Sequence, residues 1–148
     1  MQILPYLFFD GRTEEALEFY RDALGAEILF MLRMKDSPAE AQQQRPIPPE
    51  AENKIMHASF RIGDTTVMAS DGASQGQPNF HGFSLSINLD DPAKAEQFFN
   101  ALATGGTVGM PLSKTFFSPC FGMVTDRFGV AWMVHVEAPS DGAAAEAH

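Results

Sequence analysis

Apolar residues fall along this chain in short blocks whose spacing alternates between strand and helix patterns, and the same succession occurs twice. Residues 3–9 are almost uniformly apolar, which predicts a strand covered on both faces, and Asp10-Gly11 closes it. Thr13 is placed to cap the helix that follows, with Glu14 and Glu15 where the unpaired N–H groups of its first turn favour negative charge. Ala16, Leu17, Tyr20, Ala23 and Leu24 recur at helical spacing. Gly25 is a suitable stop, because glycine takes the left-handed backbone without a side-chain clash. A second strand is expected over residues 26–34, then a hairpin over 55–62 and 65–70 about the Gly63-Asp64 turn.

The pattern then restarts. Residues 82–89 read as a strand, and Asp91 reads as a helix cap followed by Pro92 in the first helical position. Ala95, Phe98, Phe99 and Leu102 form that helix's apolar stripe, and Gly105-Gly106 ends it. A short strand over 107–110 and a hairpin over 121–125 and 130–136 complete the half, with Asp126 to Gly129 as an architectural turn. Arg127 in that turn is expected to meet water or Asp126. The order strand, helix, strand, hairpin therefore stands twice, which predicts an α+β fold of two βαβββ modules forming a cupped mixed sheet. The modules cover about residues 1–72 and 80–138, within one domain spanning 1–138.

Between these blocks the composition changes. Residues 35–53 are rich in proline, glutamine and alanine and read as a flexible loop or lid. Residues 71–79 read as a linker, and residues 139–148 as a frayed tail. The net charge of −9, with 10 basic residues against 19 acidic ones, argues against binding nucleic acid or anionic membranes. No apolar stretch reaches transmembrane length and residues 1–11 lack the features of an export signal, so a cytoplasmic location is expected. The single cysteine excludes an internal disulfide.

The segments Pro5-Tyr6-Leu7-Phe8-Phe9-Asp10-Gly11, Ala16-Leu17-Glu18-Phe19-Tyr20-Arg21-Asp22-Ala23-Leu24-Gly25-Ala26 and Thr125-Asp126-Arg127-Phe128-Gly129-Val130-Ala131-Trp132 resemble the vicinal oxygen chelate superfamily of glyoxalase, bleomycin-resistance and dioxygenase proteins. Within it the chain is most similar to the PhnB-like branch, over about residues 3–137. The resemblance implies a homodimer with a cup that, in catalytic members, holds a divalent metal on four side chains. Carried onto this chain, those positions fall on Pro5, Met68, Phe83 and Met133, none of which is a usual ligand for a hard cation. No cofactor is therefore expected. The function implied is binding or sequestration of a small, partly apolar molecule, with Tyr6, Met68, Phe83, Phe117 and Met133 as pocket candidates.

The alternative is a lyase, isomerase or dioxygenase with a displaced divalent metal, or with metal-free acid/base chemistry, around His57 and His135. Glu137 could join the two imidazoles, and either histidine could instead be an ordinary strand residue. His57 shares a strand face with Ser59 and Arg61; His135 shares one with Met133. Asp71 could reach the cup rim or close a turn, and Cys120 could be a nucleophile or small apolar filler. His81 reads as an edge residue or a donor at the cup mouth, and Asp90 and Asp91 as helix-start residues. Phe9, Phe60, Phe80, Phe83, Phe116, Phe117 and Phe121 are expected near the cup, while Trp132 faces the helices. Methyl transfer finds no support, because no glycine-rich strand-to-helix loop with a following acidic residue is present.

Overall fold

The structure, a computed structural model, describes residues 1–72 and 78–138. The chain divides into two compact units at Pro78 and Asn79. The first contains β1 (Tyr6–Phe8), α1 (Thr13–Leu24), β2 (Glu27–Arg33), the short α2 (Ala39–Gln44), β3 (Ile55–Ile62) and β4 (Thr65–Ser70). The second contains β5 (Leu85–Leu89), α3 (Pro92–Ala103), β6 (Thr107–Ser113), β7 (Cys120–Thr125) and β8 (Ala131–Val136). Each unit forms a four-stranded mixed sheet, ordered β1-β4-β3-β2 in one and β5-β8-β7-β6 in the other. In both, the first and last strands pair in parallel and the remaining pairs are antiparallel. The expected repeat is thus present down to strand order.

Strand alternation decides which face each helix covers. Leu7 pairs with Ala69, and Ala69 with Ala58, a cross-strand row that is wholly buried. Phe60 lies on the same face and stacks on Tyr20 of α1 at 5.8 Å between ring centroids. In the second unit Val124, Trp132, Val134 and Val136 are buried on one face, and Ala95, Phe99 and Leu102 are the buried residues of α3. Gly122 permits that packing: a Cβ there would meet Phe99 Cε2 at 2.8 Å. At Gly106 a Cβ would lie 2.2 Å from the Thr125 carbonyl oxygen, a backbone atom with little freedom to yield. Gly106→Ala is expected to cost about 2 kcal/mol by overpacking, read as a lower urea midpoint at unchanged slope.

Several sequence expectations need correction. The first strand is shorter than residues 3–9, and only its helix-side residue is covered: Tyr6 and Phe8 are exposed while Leu7 is buried. The uniform apolarity there reflects two different surfaces, core on one side and an open apolar face on the other. Thr13 does not cap α1. It is the first helical residue, and Arg12 before it makes no side-chain cap. The second strand stops at Arg33 because Met34 opens a 3-10 turn. The segment 35–53, expected as a flexible loop, carries α2, the end of the 3-10 turn Met34–Asp36 and the 3-10 turn Pro49–Ala51. The Met34 N–H donates to the Lys54 carbonyl, and Gln42 Nε2 donates to the Ser37 carbonyl, tying the excursion to its own base.

In the second unit β5 begins only at Leu85, and Phe98 is half-buried rather than part of the core stripe. The β6 strand runs on to Ser113 through two register shifts, tolerating Pro111 because β6 is an edge strand. Asp91 caps α3 as expected, its Oδ1 accepting from the Ala93 and Lys94 N–H groups. Arg127 donates from Nε and Nη2 to the Thr104 carbonyl, a partner outside the turn. Residues 73–77 of the expected linker and the tail 139–148 lie outside the described residues.

Candidate functional site

With one face of the first sheet covered by α1, the other presents a row of aromatic and polar side chains. Tyr6 on β1 pairs with Met68 on β4, Met68 with Ser59 on β3, and Ser59 with Phe30 on β2, so all four stand in one row. His57, two residues from Ser59, rises on the same face opposite Leu32. Its Nδ1 and the Tyr6 hydroxyl are 3.1 Å apart and hydrogen-bonded. The imidazole also lies against the rings of Tyr6 and Phe30, at centroid distances of 5.7 and 5.9 Å, and Tyr6 in turn meets Phe8 at 5.0 Å. Tyr6, Phe8 and Phe30 are 37%, 56% and 49% exposed. When the phenol O–H donates to Nδ1, the ring proton sits on Nε2, leaving an N–H donor for another molecule.

The second sheet repeats the plan with different residues. Ser86 on β5 pairs with Met133 on β8, and Met133 with Met123 on β7, the register equivalents of Tyr6, Met68 and Ser59. His135 stands between Asn88 and Phe121 in register. Phe117 and Phe121 approach its ring at 6.0 and 6.3 Å. Glu137, past the end of β8, is exposed and donates its N–H to the Leu89 carbonyl.

Asp71 belongs to neither face. It is 3% exposed and accepts from the Gly11 N–H, the Thr13 N–H and the Thr13 hydroxyl on Oδ1, and from the Ile55 N–H on Oδ2. It therefore caps α1 from the end of β4, supplying at long range what Thr13 was expected to supply locally. Of the two readings that the sequence left open for Asp71, closing a turn or reaching the cup rim, this satisfied set favours the structural one. Arg33 braces the same helix end by donating to Glu14, a contact that raises the guanidinium pKa above its ordinary value.

Other candidates separate in the same way. Cys120 alternates with Phe121 along β7, on the face it shares with Gly122 and Val124, and so points away from the side of His135. Phe9 and Phe60 are buried against Tyr20 on the helix side of the first sheet, away from its open face. Phe83 lies before β5 with its ring edge-on to the buried Phe80, and Phe116 is fully exposed. His81 is exposed and donates its N–H to Asn79 Oδ1. Trp132 is buried, as its strand parity predicts, and donates to Asp126.

The positions that the resemblance assigns to a metal do not suit a hard divalent ion. Pro5 offers only its carbonyl, which accepts the Met68 N–H at 2.9 Å, and Met68 and Met133 offer thioethers. Phe83 offers nothing, and the register neighbours of the two methionines are a phenol and an alcohol, Tyr6 and Ser86. Among the described residues no group of three or more His, Cys, Asp or Glu stands together as a metal site. Sequence reading named Tyr6 and His57 separately but missed their pairing, and it missed Phe8 and Phe30 as surface aromatics. Strand parity at β1 was the available signal.

Comparisons with known proteins place this geometry. The two four-stranded mixed sheets match the glyoxalase and fosfomycin-resistance fold. One such neighbour is a glyoxalase-related enzyme from Fulvimarina pelagi, 15% identical with a TM-score of 0.60 over 93% of this chain and 88% of that one. Another is the FosX fosfomycin resistance protein of Listeria monocytogenes in complex with Mn(II), 9% identical with a TM-score of 0.60 over 93% and 91%. Within that fold the chain belongs to the family described as 3-demethylubiquinone-9 3-methyltransferase, the PhnB-like family, whose model matches residues 1–135. The Pseudomonas aeruginosa protein PA1353 is 46% identical, with a TM-score of 0.80 over 93% of this chain and 98% of that one. Protein YjdN of Escherichia coli is 34% identical over 92% of this chain and 95% of its own length. A Bacillus cereus PhnB protein is 26% identical, with a TM-score of 0.75 over 92% and 99%.

Proposed function

We propose that the protein binds a small, partly apolar molecule on the open face of its first sheet, with Tyr6 and His57 as the polar anchor and Phe8 and Phe30 as the apolar walls. The observation that carries this reading is the Tyr6–His57 hydrogen bond standing among exposed aromatic rings. Exposed rings in contact with each other gain most from an apolar ligand that removes them from water, and one oriented imidazole gives such a ligand a direction. The His135, Phe117 and Phe121 group on the second sheet has the same chemical character and is proposed as a second recognition surface. Bound ligand and a homodimeric assembly are compatible uses of these surfaces.

Methyl transfer, which the family description carries, finds no support at the β1–α1 junction. A nucleotide-type cofactor would use the free N–H groups at such a helix start, and here Asp71 occupies those of Gly11 and Thr13. Acid/base chemistry is the second reading, and it rests on the same dyad: His57 with Tyr6 could exchange a proton with a bound carbon or oxygen acid without a metal.

The test is a library of small aromatic compounds, each carrying one hydroxyl, carbonyl or carboxylate, screened by NMR against protein labelled at aromatic side chains. Binders are expected to shift Tyr6, Phe8, Phe30 and His57 together. Tyr6→Ala and His57→Ala are expected to weaken them about tenfold, the loss of one good polar contact. Binders that leave these four residues unperturbed, or that keep full affinity in both variants, would contradict the reading.

A further inference from the structure

The second sheet carries three methionines in a single line across its strands. Met110 on β6 is opposite Met123 on β7, and Met123 is opposite Met133 on β8. Side chains directly opposite each other rise from the same face, here the face away from the buried Trp132 and Val134. The β6 ladder slips by one residue beside the line, with Val108 paired to Val124 but Met110 to Met123. Such a bulge sets two residues against one, and a Cβ on Gly109 would fall 3.9 Å from Met123 Cβ. The bare glycine thus leaves room beside the central methionine. Ser86 ends the line on β5, and His135 stands two residues beyond Met133 on the same face.

Three thioethers from neighbouring strands are an unusual donor set, and their reach decides what they can hold. Adjacent strands are about 4.8 Å apart, and methionine has three rotatable bonds, so the outer two sulfurs can lean over the central one and share a single ion. Thioether sulfur is soft. It is a poor partner for Mg, Mn or Zn and a good one for monovalent copper. Met110 is 38% exposed and the other two are half-buried, so the line is open to solvent rather than filling a core. The net charge of −9 raises the local concentration of any cation.

We propose that Met110, Met123 and Met133, flanked by the His135 imidazole, form a binding site for a soft monovalent cation, Cu(I), for which Ag(I) is a redox-inert equivalent. The site lies on the second sheet and shares His135 with the recognition surface proposed there. It also turns the mismatch with hard divalent ions into a positive preference, because the same face that lacks carboxylates is supplied with sulfur.

The experiment is a titration of Ag(I) into full-length protein carrying 13C-methyl methionine, in a Cys120→Ala background so that the lone thiol does not compete. The expected result is saturation at one equivalent, with methyl shifts confined to Met110, Met123 and Met133. Leucine is close in volume to methionine, so the triple Met→Leu variant should keep its fold, which thermal melting checks. It is expected to lose saturable binding, and Met123→Leu alone to weaken it about tenfold, since each ligand contributes a coordinate bond. Shifts spread over all eight methionines without saturation, or undiminished binding by the triple or the Met123→Leu variant, would overturn the proposal.

Discussion

Replacing Asp71 by alanine is expected to destabilise the protein by about 3 kcal/mol or more, the largest effect of any single change proposed for it. One carboxylate accepts three backbone N–H groups and a hydroxyl at a site almost closed to water. Its removal leaves Gly11, Thr13 and Ile55 without the acceptor that joins them, and each buried unsatisfied donor costs about 1 kcal/mol or more. The same change unties the start of α1 from the junction of β3 and β4, so the loss falls on three elements together. Thermal melting should register a fall of about 10 °C for a chain of this size. Asp71→Asn is expected to lose somewhat less, because it keeps one acceptor oxygen but turns an amide N–H toward donors. A melting temperature within a degree or two of the parent would show that α1 does not depend on this cap.

The second large effect is expected at Asp126. Its Oδ1 accepts from the Phe128 and Val130 N–H groups, and its Oδ2 accepts from Trp132 Nε1 at 2.8 Å, all at 3% exposure. The carboxylate therefore shapes the β7–β8 turn from inside and fixes the only tryptophan in the chain. Asp126→Ala should cost about 3 kcal/mol by the same reasoning. It should also change the Trp132 emission spectrum in the folded protein, because the indole N–H loses its charged partner. Unchanged emission together with unchanged stability would mean that the turn is held by its backbone hydrogen bonds, Asp126 N–H to Val130 and Gly129 N–H to Asp126, without the side chain.

These two aspartates mark where sequence reading reached and where it stopped. The succession of strand, helix, strand and hairpin was legible because it rests on local periodicity, on caps such as Asp91 and on stops such as Gly25, whose φ of 68° confirms the left-handed terminus. The turn at Asp126 was legible for the same reason, since Phe128, Val130 and Trp132, which donate to its carboxylate, lie within six residues. The Asp71 cap was not, because its partners Gly11 and Thr13 are about sixty residues away and nothing in the local pattern joins them.

The candidate site divides along the same line. That His135 would share a face with Met133 follows from a period of two within one strand. That Tyr6 would meet His57, or that Met110, Met123 and Met133 would align, depends on register between strands, which hydrophobic patterning leaves open when both faces of a strand are apolar. The apolar run at β1 illustrates the cost: it reads as doubly covered, yet Tyr6 and Phe8 stand on an exposed face. The family resemblance supplied the fold and the comparison with metal-binding members. The residues at issue supplied the argument that a hard cation is poorly served.

The central claim, recognition of an organic ligand without help from a hard divalent metal, is tested most directly by measuring aromatic-fragment affinity on chelator-treated protein before and after adding Mn(II) or Zn(II). Equal affinity in both states, with no more than trace metal retained after dialysis, is the predicted result. Binding that appears only when the divalent ion is restored, with near-stoichiometric metal held by the protein, would contradict it.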